Sequence, residues 1–306
     1  MIPKHVISAK DFDRKALELI FNLTDRIKAG KYDKKSLAGK IMATLFYEPS
    51  TRTRLSFETA MIRLSGRVIS TENAGEFSSA AKGETLEDTI RVVDSYSDII
   101  VLRHFKVGAS ERAAKYSKVP IINGGDGNGE HPTQALLDLY TIFSRLKKTD
   151  ITITMVGDML NGRTIHSLSY LLVLYKKIRL IYVSPKGLAV PKTLRNLLTG
   201  KKAYFEETED FKKGLTEADV VYMTRIQKER FSNQNEYKKY LGKYILDKAM
   251  LKFLKRNAII MHPLPRVNEI TRDVDRDKRA IYFEQAQNGV FIRMALLLLI
   301  FDKAQV

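Results

Sequence analysis

Residues 50–54 read Ser-Thr-Arg-Thr-Arg, directly after Glu48-Pro49 and at the head of an apolar pattern of helical spacing. Three hydroxyls and two guanidinium groups in one first turn suit the chemistry of holding an anion. The first N–H groups of a helix lack intrahelical partners and the positive end of the dipole lies there. Thr51 and Thr53 add hydroxyl donors, and Arg52 adds a planar fork that matches phosphate oxygens. Ser50 reads as the N-cap. Arg54 precedes Glu58 by four residues, the spacing of an intrahelical ion pair. A capped helix with incidental arginines is the plain alternative. Capping accounts for Ser50 but not for the repeated Thr-Arg, so the anion site is the better reading.

Six further stretches carry reactive side chains, each with two readings. Arg103 ends the apolar run 99–102, as a surface charge closing a strand or as a ligand at a strand's carboxyl end. In NGGDGNGEHPTQ, 123–134, a glycine-rich loop leads into a helix start at Pro132. His131 and Gln134 share one helix face there. His131 fits a general base, a neutral donor to a carbonyl oxygen, or a capping histidine. VGDMLNGRTIHS, 156–167, has a strand–glycine–helix plan but lacks GxGxxG, so Arg163 is a solvent arginine or one aimed at a ligand. Arg225 and Gln227 follow a short apolar run, and two residues apart on extended backbone they point the same way and can hold a carboxylate. MHPLPR, 261–266, puts two prolines within three residues of a strand end, which makes a rigid loop able to turn carbonyls toward a ligand; X-Pro is the linkage where a cis peptide is cheap. FSSAAKGETLEDT, 77–89, is a small-residue loop with Lys82, either a lid carrying one cation or a solvated lysine.

These residues need a scaffold that brings loop ends together. Strand-like runs are expected at 41–46, 99–102, 119–123, 151–156, 178–183, 203–205, 220–223 and 258–261, several of them β-branched and apolar on consecutive positions as in strands covered on both faces. Helical patterns lie at 13–29, 51–65, 84–96, 131–147, 163–175 and 280–302. The alternation predicts an α/β protein of two doubly wound domains with mostly parallel sheets. The expected division is 1–148 and 149–285, with the C-terminal helix 286–306 packing back on the first domain. Ligands of open α/β sheets sit beyond the strands' carboxyl ends, so the active site is expected in an interdomain cleft.

The chain has 306 residues, enough for two ordinary cores. It carries 52 basic and 35 acidic residues, a net charge of +17, with 24 and 19 of them in the first 150 positions. The cations are scattered singly or in pairs rather than gathered into a basic stripe. Anionic small molecules therefore fit better than nucleic acid. No apolar run is long enough for a membrane span. With no cysteine there is no disulfide, thiolate metal site or thiol nucleophile. The N-terminal stretch lacks a signal-like apolar run. Together these point to a cytoplasmic protein without membrane or nucleic-acid partners.

In their order and wording, STRTR, SSAAKGET, RH, HPTQ, GRT, MTRIQ and HPLPR resemble the aspartate/ornithine carbamoyltransferase family, over most of the chain from residue 41 to the C-terminal helix. The serine–lysine loop and the MTRIQ and HPLPR segments resemble the aspartate branch. The ornithine branch carries a cysteine–leucine pair in place of Pro263-Leu264. The resemblance implies that carbamoyl phosphate and L-aspartate give N-carbamoyl-L-aspartate and phosphate, early in pyrimidine synthesis. Ser50, Thr51, Arg52, Thr53 and Arg103 resemble the ligands of the phosphate group. Thr53, Arg103 and His131 resemble the groups on the carbonyl oxygen. Gln134 and the carbonyls of Leu264 and Pro265 resemble contacts to the amide nitrogen. Arg163, Arg225 and Gln227 resemble holders of the aspartate carboxylates. Ser78 and Lys82 resemble residues given by a neighbouring subunit, which implies a homotrimer with shared active sites. A separate regulatory chain is also open as a partner, and no metal or organic cofactor is implied. An ornithine carbamoyltransferase, or a phosphate- or nucleic-acid-binding protein without catalysis, are the alternatives.

Overall fold

The structure is a computed structural model that describes residues 2–73, 83–227, 231 and 233–304. It divides into two compact units, Met1–Tyr140 with Gln287–Val306, and Thr141–Ala286.

The first unit is built on β1 (Ile41–Phe46), β2 (Arg67–Glu72), β3 (Ile99–His104) and β4 (Ile121–Asp126), all parallel in the order β2-β1-β3-β4. Its helices include α1 (Arg14–Lys28), α2 (Thr51–Arg63), α3 (Leu86–Asp94) and α4 (Ala109–Tyr116). Leu86 and Ile90 of α3 and Ala109 and Ala113 of α4 pack as same-face pairs onto Ala43, Leu45, Ile100 and Leu102 of the central strands. Thr85 caps α3 by accepting from Asp88 N. β2 is an edge strand with no buried residue, so its sequence RVISTE lacks the apolar run of its neighbours and escapes a reading based on buried strands. β4 starts two residues later than expected and runs on through Gly124 and Gly125, fully buried, where its pairing with β3 shifts register between Leu102 and His104.

The second unit holds β5 (Ile151–Val156), β6 (Ile178–Val183), β7 (Tyr204–Thr208), β8 (Val220–Met223) and β9 (Ile259–Met261), all parallel in the order β7-β6-β5-β8-β9. Between them lie α6 (Arg163–Leu172), α7 (Lys192–Gly200), α8 (Phe211–Glu217) and α9 (Gln234–Lys238). Its core gathers Val156, Ile181, Val183, Val221, Met223 and Ile260 from four strands. Helices α4, α7 and α8 are seven to nine residues long. Each offers two turns or so of periodicity, too little for the helical pattern to declare itself.

Two helices pass through the division between the units: α5 (Pro132–Leu146) and α10 (Tyr282–Ile300). The α/β architecture of two parallel sheets flanked by helices is thus as expected.

Candidate active site

In the first sheet β2 lies on one side of β1, and β3 and β4 on the other. The chain leaving β1 therefore turns away from the chain leaving β3, and their carboxyl ends frame a topological switch point. Phe46 and Arg103 are register partners there, and Tyr47 N donates to Arg103 O at 2.8 Å. The switch point is where the segment leading into STRTR leaves the sheet beside Arg103.

Ser50 stands at the N-cap position of α2, but its side chain makes no capping hydrogen bond. The expectation that capping explains Ser50 is corrected: its φ of −159° and ψ of 88° depart from the usual extended cap, and only its carbonyl starts the helix, accepting from Arg54 N at 3.1 Å. Arg54 is structural, as expected. It lies 4.0 Å from Glu58 and 3.0 Å from Glu72, and donates to Ser70 Oγ, so it ties α2 to the edge strand β2. Thr51 and Arg52 form the exposed first turn, while Thr53 is buried.

Thr53 Oγ1 lies 3.4 Å from His131 Nε2, across 78 positions of sequence. His131 directly precedes α5 and is itself buried, with its carbonyl accepting from Gln134 N and Ala135 N. Gln134 Nε2 donates to Asp138 Oδ1 at 2.8 Å. Arg103 donates to Gly124 O at 3.1 Å and pairs with Glu48 at 3.5 Å. Beside it His104 is buried between the Tyr47 and Phe105 rings, its Nδ1 accepting from Lys106 N at 2.9 Å. Burial, with Lys106 and Arg112 nearby, lowers its pKa to about 4.

The second sheet repeats the plan. β6 and β7 lie on one side of β5, and β8 and β9 on the other, so β5 and β8 frame its switch point, with Val156 opposite Met223. Gly157 follows β5 with φ +129°, and a Cβ there would stand 2.5 Å from the carbonyl oxygen of Thr224. Only glycine allows the two strand ends this approach. Asp158 is buried and shapes the next turn by accepting from Asn161 N and Nδ2 at 2.9 and 3.1 Å. Burial pushes its carboxyl up despite those bonds. Arg163 opens α6 behind Gly162. Gln227 Nε2 donates to Asn161 O at 3.4 Å, so the loop before Arg163 and the segment of Arg225 and Gln227 touch. Arg225 lines a pocket partly open to solvent with Thr224, Tyr237, Tyr240, Lys243 and Glu269.

Beyond β9, the Leu264–Pro265 bond is cis. Its loop is clipped by a buried pair that sequence reading did not single out: His262 and Glu269, 2.7 Å apart. His262 Nδ1 accepts from Leu264 N at 2.7 Å, which leaves Nε2 to carry the proton and donate to Glu269. Glu269 also accepts from Val267 N and Asn268 N. Burial pushes the Glu269 carboxyl up, but bonds from His262 and these backbone groups outweigh it and hold it below the ordinary range. Seven positions separate the pair on irregular backbone, so no spacing rule announces it. Asp138 did leave a signal, standing four residues after Gln134.

Ser78 and Lys82 lie outside the described residues. Among the described residues no cluster of three or more His, Cys, Asp or Glu side chains could hold a metal ion, and no helix is long and apolar enough to cross a membrane.

Residues 4–144 match the model of the aspartate/ornithine carbamoyltransferase carbamoyl-P binding domain, and residues 149–300 that of the Asp/Orn binding domain. The chain is 55% identical over 300 residues to the chloroplastic aspartate carbamoyltransferase of Arabidopsis thaliana, covering 96% of this chain and 77% of that one. Among solved structures it is similar to the catalytic subunit of M. jannaschii aspartate transcarbamoylase, with a TM-score of 0.89, 49% identity and coverage of 98% and 99%. The aspartate transcarbamoylase of Trypanosoma cruzi in complex with carbamoyl phosphate and aspartate gives a TM-score of 0.89 at 40% identity, covering 97% and 98%.

Proposed function

The chain belongs to the aspartate/ornithine carbamoyltransferase family, and we propose that it transfers the carbamoyl group of carbamoyl phosphate to the amine of L-aspartate, giving N-carbamoyl-L-aspartate and phosphate for pyrimidine synthesis. The relatives are aspartate carbamoyltransferases, and neither the ornithine nor the non-catalytic alternative finds support among them. The observation that carries the residue assignment is the approach of Thr53 to His131 beside a helix start rich in hydroxyl and guanidinium groups.

In this reading the N-terminus of α2, with Ser50, Thr51, Arg52 and Thr53, receives the phosphate group, and Arg103 joins it from the end of β3. Thr53, Arg103 and His131 surround the carbonyl oxygen. The amine lone pair of aspartate attacks the carbamoyl carbon, and negative charge builds on that oxygen. Donors fixed around it stabilise the charge, and losing one costs roughly 10²–10³ in rate. The tetrahedral adduct collapses by breaking the bond from carbon to the phosphate oxygen. The departing phosphate takes the amine proton, so His131 acts as a donor and not as a base. Arg52, with Lys82 of a neighbouring subunit, balances the phosphate charge as it leaves. Arg163, Arg225, Gln227 and that Lys82 hold the aspartate carboxylates. Gln134 and the carbonyls of Leu264 and Pro265 meet the amide nitrogen. Holding two small anions in attack geometry supplies much of the remaining acceleration, and the net charge of +17 favours their capture.

The first domain, 1–148 with the C-terminal helix, binds carbamoyl phosphate in this reading, and 149–285 binds aspartate. Incubation with carbamoyl phosphate and either aspartate or ornithine tests the activity: carbamoyl-aspartate is expected, and citrulline alone would refute it. Ser78 from a neighbouring subunit completes the phosphate side, which makes the working unit a homotrimer. Hybrids of inactive Lys82→Ala and Arg52→Ala chains should regain activity, and silence after proven subunit exchange would count against sharing. The cytoplasm is the proposed compartment; the chloroplastic name of the Arabidopsis relative marks the other outcome, and imaging of a tagged chain separates the two.

A further inference from the structure

Beneath the start of α5 lies a pair of buried charged groups that the reaction as described leaves unused. Asp138 is fully buried one turn after Gln134, whose Nε2 donates to its Oδ1 at 2.8 Å. Arg293, on α10, is 3% exposed. Burial lowers the Arg293 pKa to about 10, while the charge of Asp138 works in the other direction. The Arg293 guanidinium lies 4.8 Å from the centre of the Phe57 ring of α2, and its Nη2 is 3.5 Å from Thr133 Oγ1 of α5. Gly289 makes the space, because a Cβ there would stand 2.4 Å from Arg293 Nη1. The guanidinium therefore sits under both helices whose first turns carry the proposed ligands of carbamoyl phosphate.

Taking two such charges out of water is costly, so a packing role alone is a poor reason for them. A primary amide has two unlike ends: its NH2 donates and its carbonyl accepts. An ionised carboxylate accepts only. Asp138 thus binds the NH2 end of Gln134 and leaves Oε1 as the end available to a ligand. The amide nitrogen of carbamoyl phosphate is a donor, and its recognition needs an acceptor.

We propose that Asp138 is a positioning residue that commits Gln134 to presenting its carbonyl oxygen, and so makes the site select acyl phosphates bearing an NH2 group over those bearing a methyl group in its place. The inference rests on the proposed contact between Gln134 and the carbamoyl amide. Its measure is a selectivity, the affinity for carbamoyl phosphate over acetyl phosphate, with inorganic phosphate as a control for the rest of the site.

The protein and its Gln134→Ala, Asp138→Asn and doubly substituted forms are compared by competition against bound inorganic phosphate. Asp138→Asn keeps the shape but offers Gln134 a donor as well as an acceptor, so both orientations of the amide become accessible. The expected result is a selectivity lowered roughly tenfold in either single variant, the size of one hydrogen bond, with phosphate affinity unchanged and no further loss in the double variant. Selectivity lost in Gln134→Ala but kept in Asp138→Asn would overturn the positioning role and leave the function standing. Equal weakening of all three ligands in Asp138→Asn would reduce Asp138 to a structural residue. Unchanged selectivity in Gln134→Ala would remove the Gln134 contact and the inference with it, although turnover persists. Absence of carbamoyl-aspartate formation by the unsubstituted protein would instead sink the functional reading.

Discussion

The two units place the residues proposed to hold ligands at the same topological position and dress it differently. In the first, four residues separate the end of β1 at Phe46 from the start of α2 at Thr51. The strand delivers a helix N-terminus directly to the switch point, with the hydroxyls and Arg52 on its first turn. In the second, six residues separate Val156 from Arg163, and the buried Asp158 organises the turn between. There the proposed cation at the helix start is a single side chain, joined by Arg225 and Gln227 from the segment that follows β8. The contrast follows the ligands proposed for each unit. A phosphate dianion offers oxygens in several directions and suits a cluster of N–H, O–H and guanidinium donors. Carboxylates are planar and well separated along aspartate, and individual arginine forks match them.

The contrast can be broken at its sharpest point by Arg52→Ala. Turnover is expected to fall by roughly 10²–10³ or more with the thermal melt of the protein preserved, and near-wild-type steady-state rates would remove the assigned phosphate site. In the second unit, Arg225→Ala is expected to raise KM for aspartate by roughly 10–100-fold, the size of a hydrogen bond to a charged group, while inorganic phosphate binds as before. Parallel weakening of both ligands would erase the division of labour between the units. Gly157→Ala tests the frame. A Cβ at φ +129°, 2.5 Å from Thr224 O, should cost about 1–3 kcal/mol, seen as a lowered Tm, and should raise KM for aspartate but leave phosphate affinity unmoved.

The smallest effect concerns two histidines beside the proposed ligand arginines. His104 follows Arg103 and His166 follows Arg163 by one turn, and burial lowers the pKa of each. His104 titrates near 6.5 when unfolded and at about 4 when folded. Between those values the unfolded chain binds the extra proton, so the contribution of His104 to stability is complete above about 6.5 and is lost as the pH falls toward 4. His104→Asn should flatten the dependence of Tm on pH across that window, and an unchanged slope would discount the histidine.

Much of this was legible in the sequence where one residue's chemistry was enough. The central strands announced themselves as apolar β-branched runs, and Arg54 by its spacing from Glu58. The edge strand β2 was not legible, because exposure removes the apolar signal, and neither were α4, α7 and α8, which are too short for a period to repeat. Ser50 misled, since a residue type favoured at the N-cap does not guarantee the dihedral angles that close the capping bond. Arg293 and the His262–Glu269 clip were out of reach for a different reason. Their partners come from distant or irregular segments, and only packing reveals that a buried charge has one. Gly289 in the middle of α10 was the single visible trace of Arg293, an absence of side chain where a helix former would be expected.

The close passage at Gly157 has a mechanical consequence. A backbone carbonyl pressed against a bare Cα leaves almost no slack, and the Gln227–Asn161 bond adds a second stitch. The turn leading to Arg163 and the segment bearing Arg225 therefore travel as one piece. The backbone on either side of its two arginines is thereby joined at two points, like a hinge pinned shut.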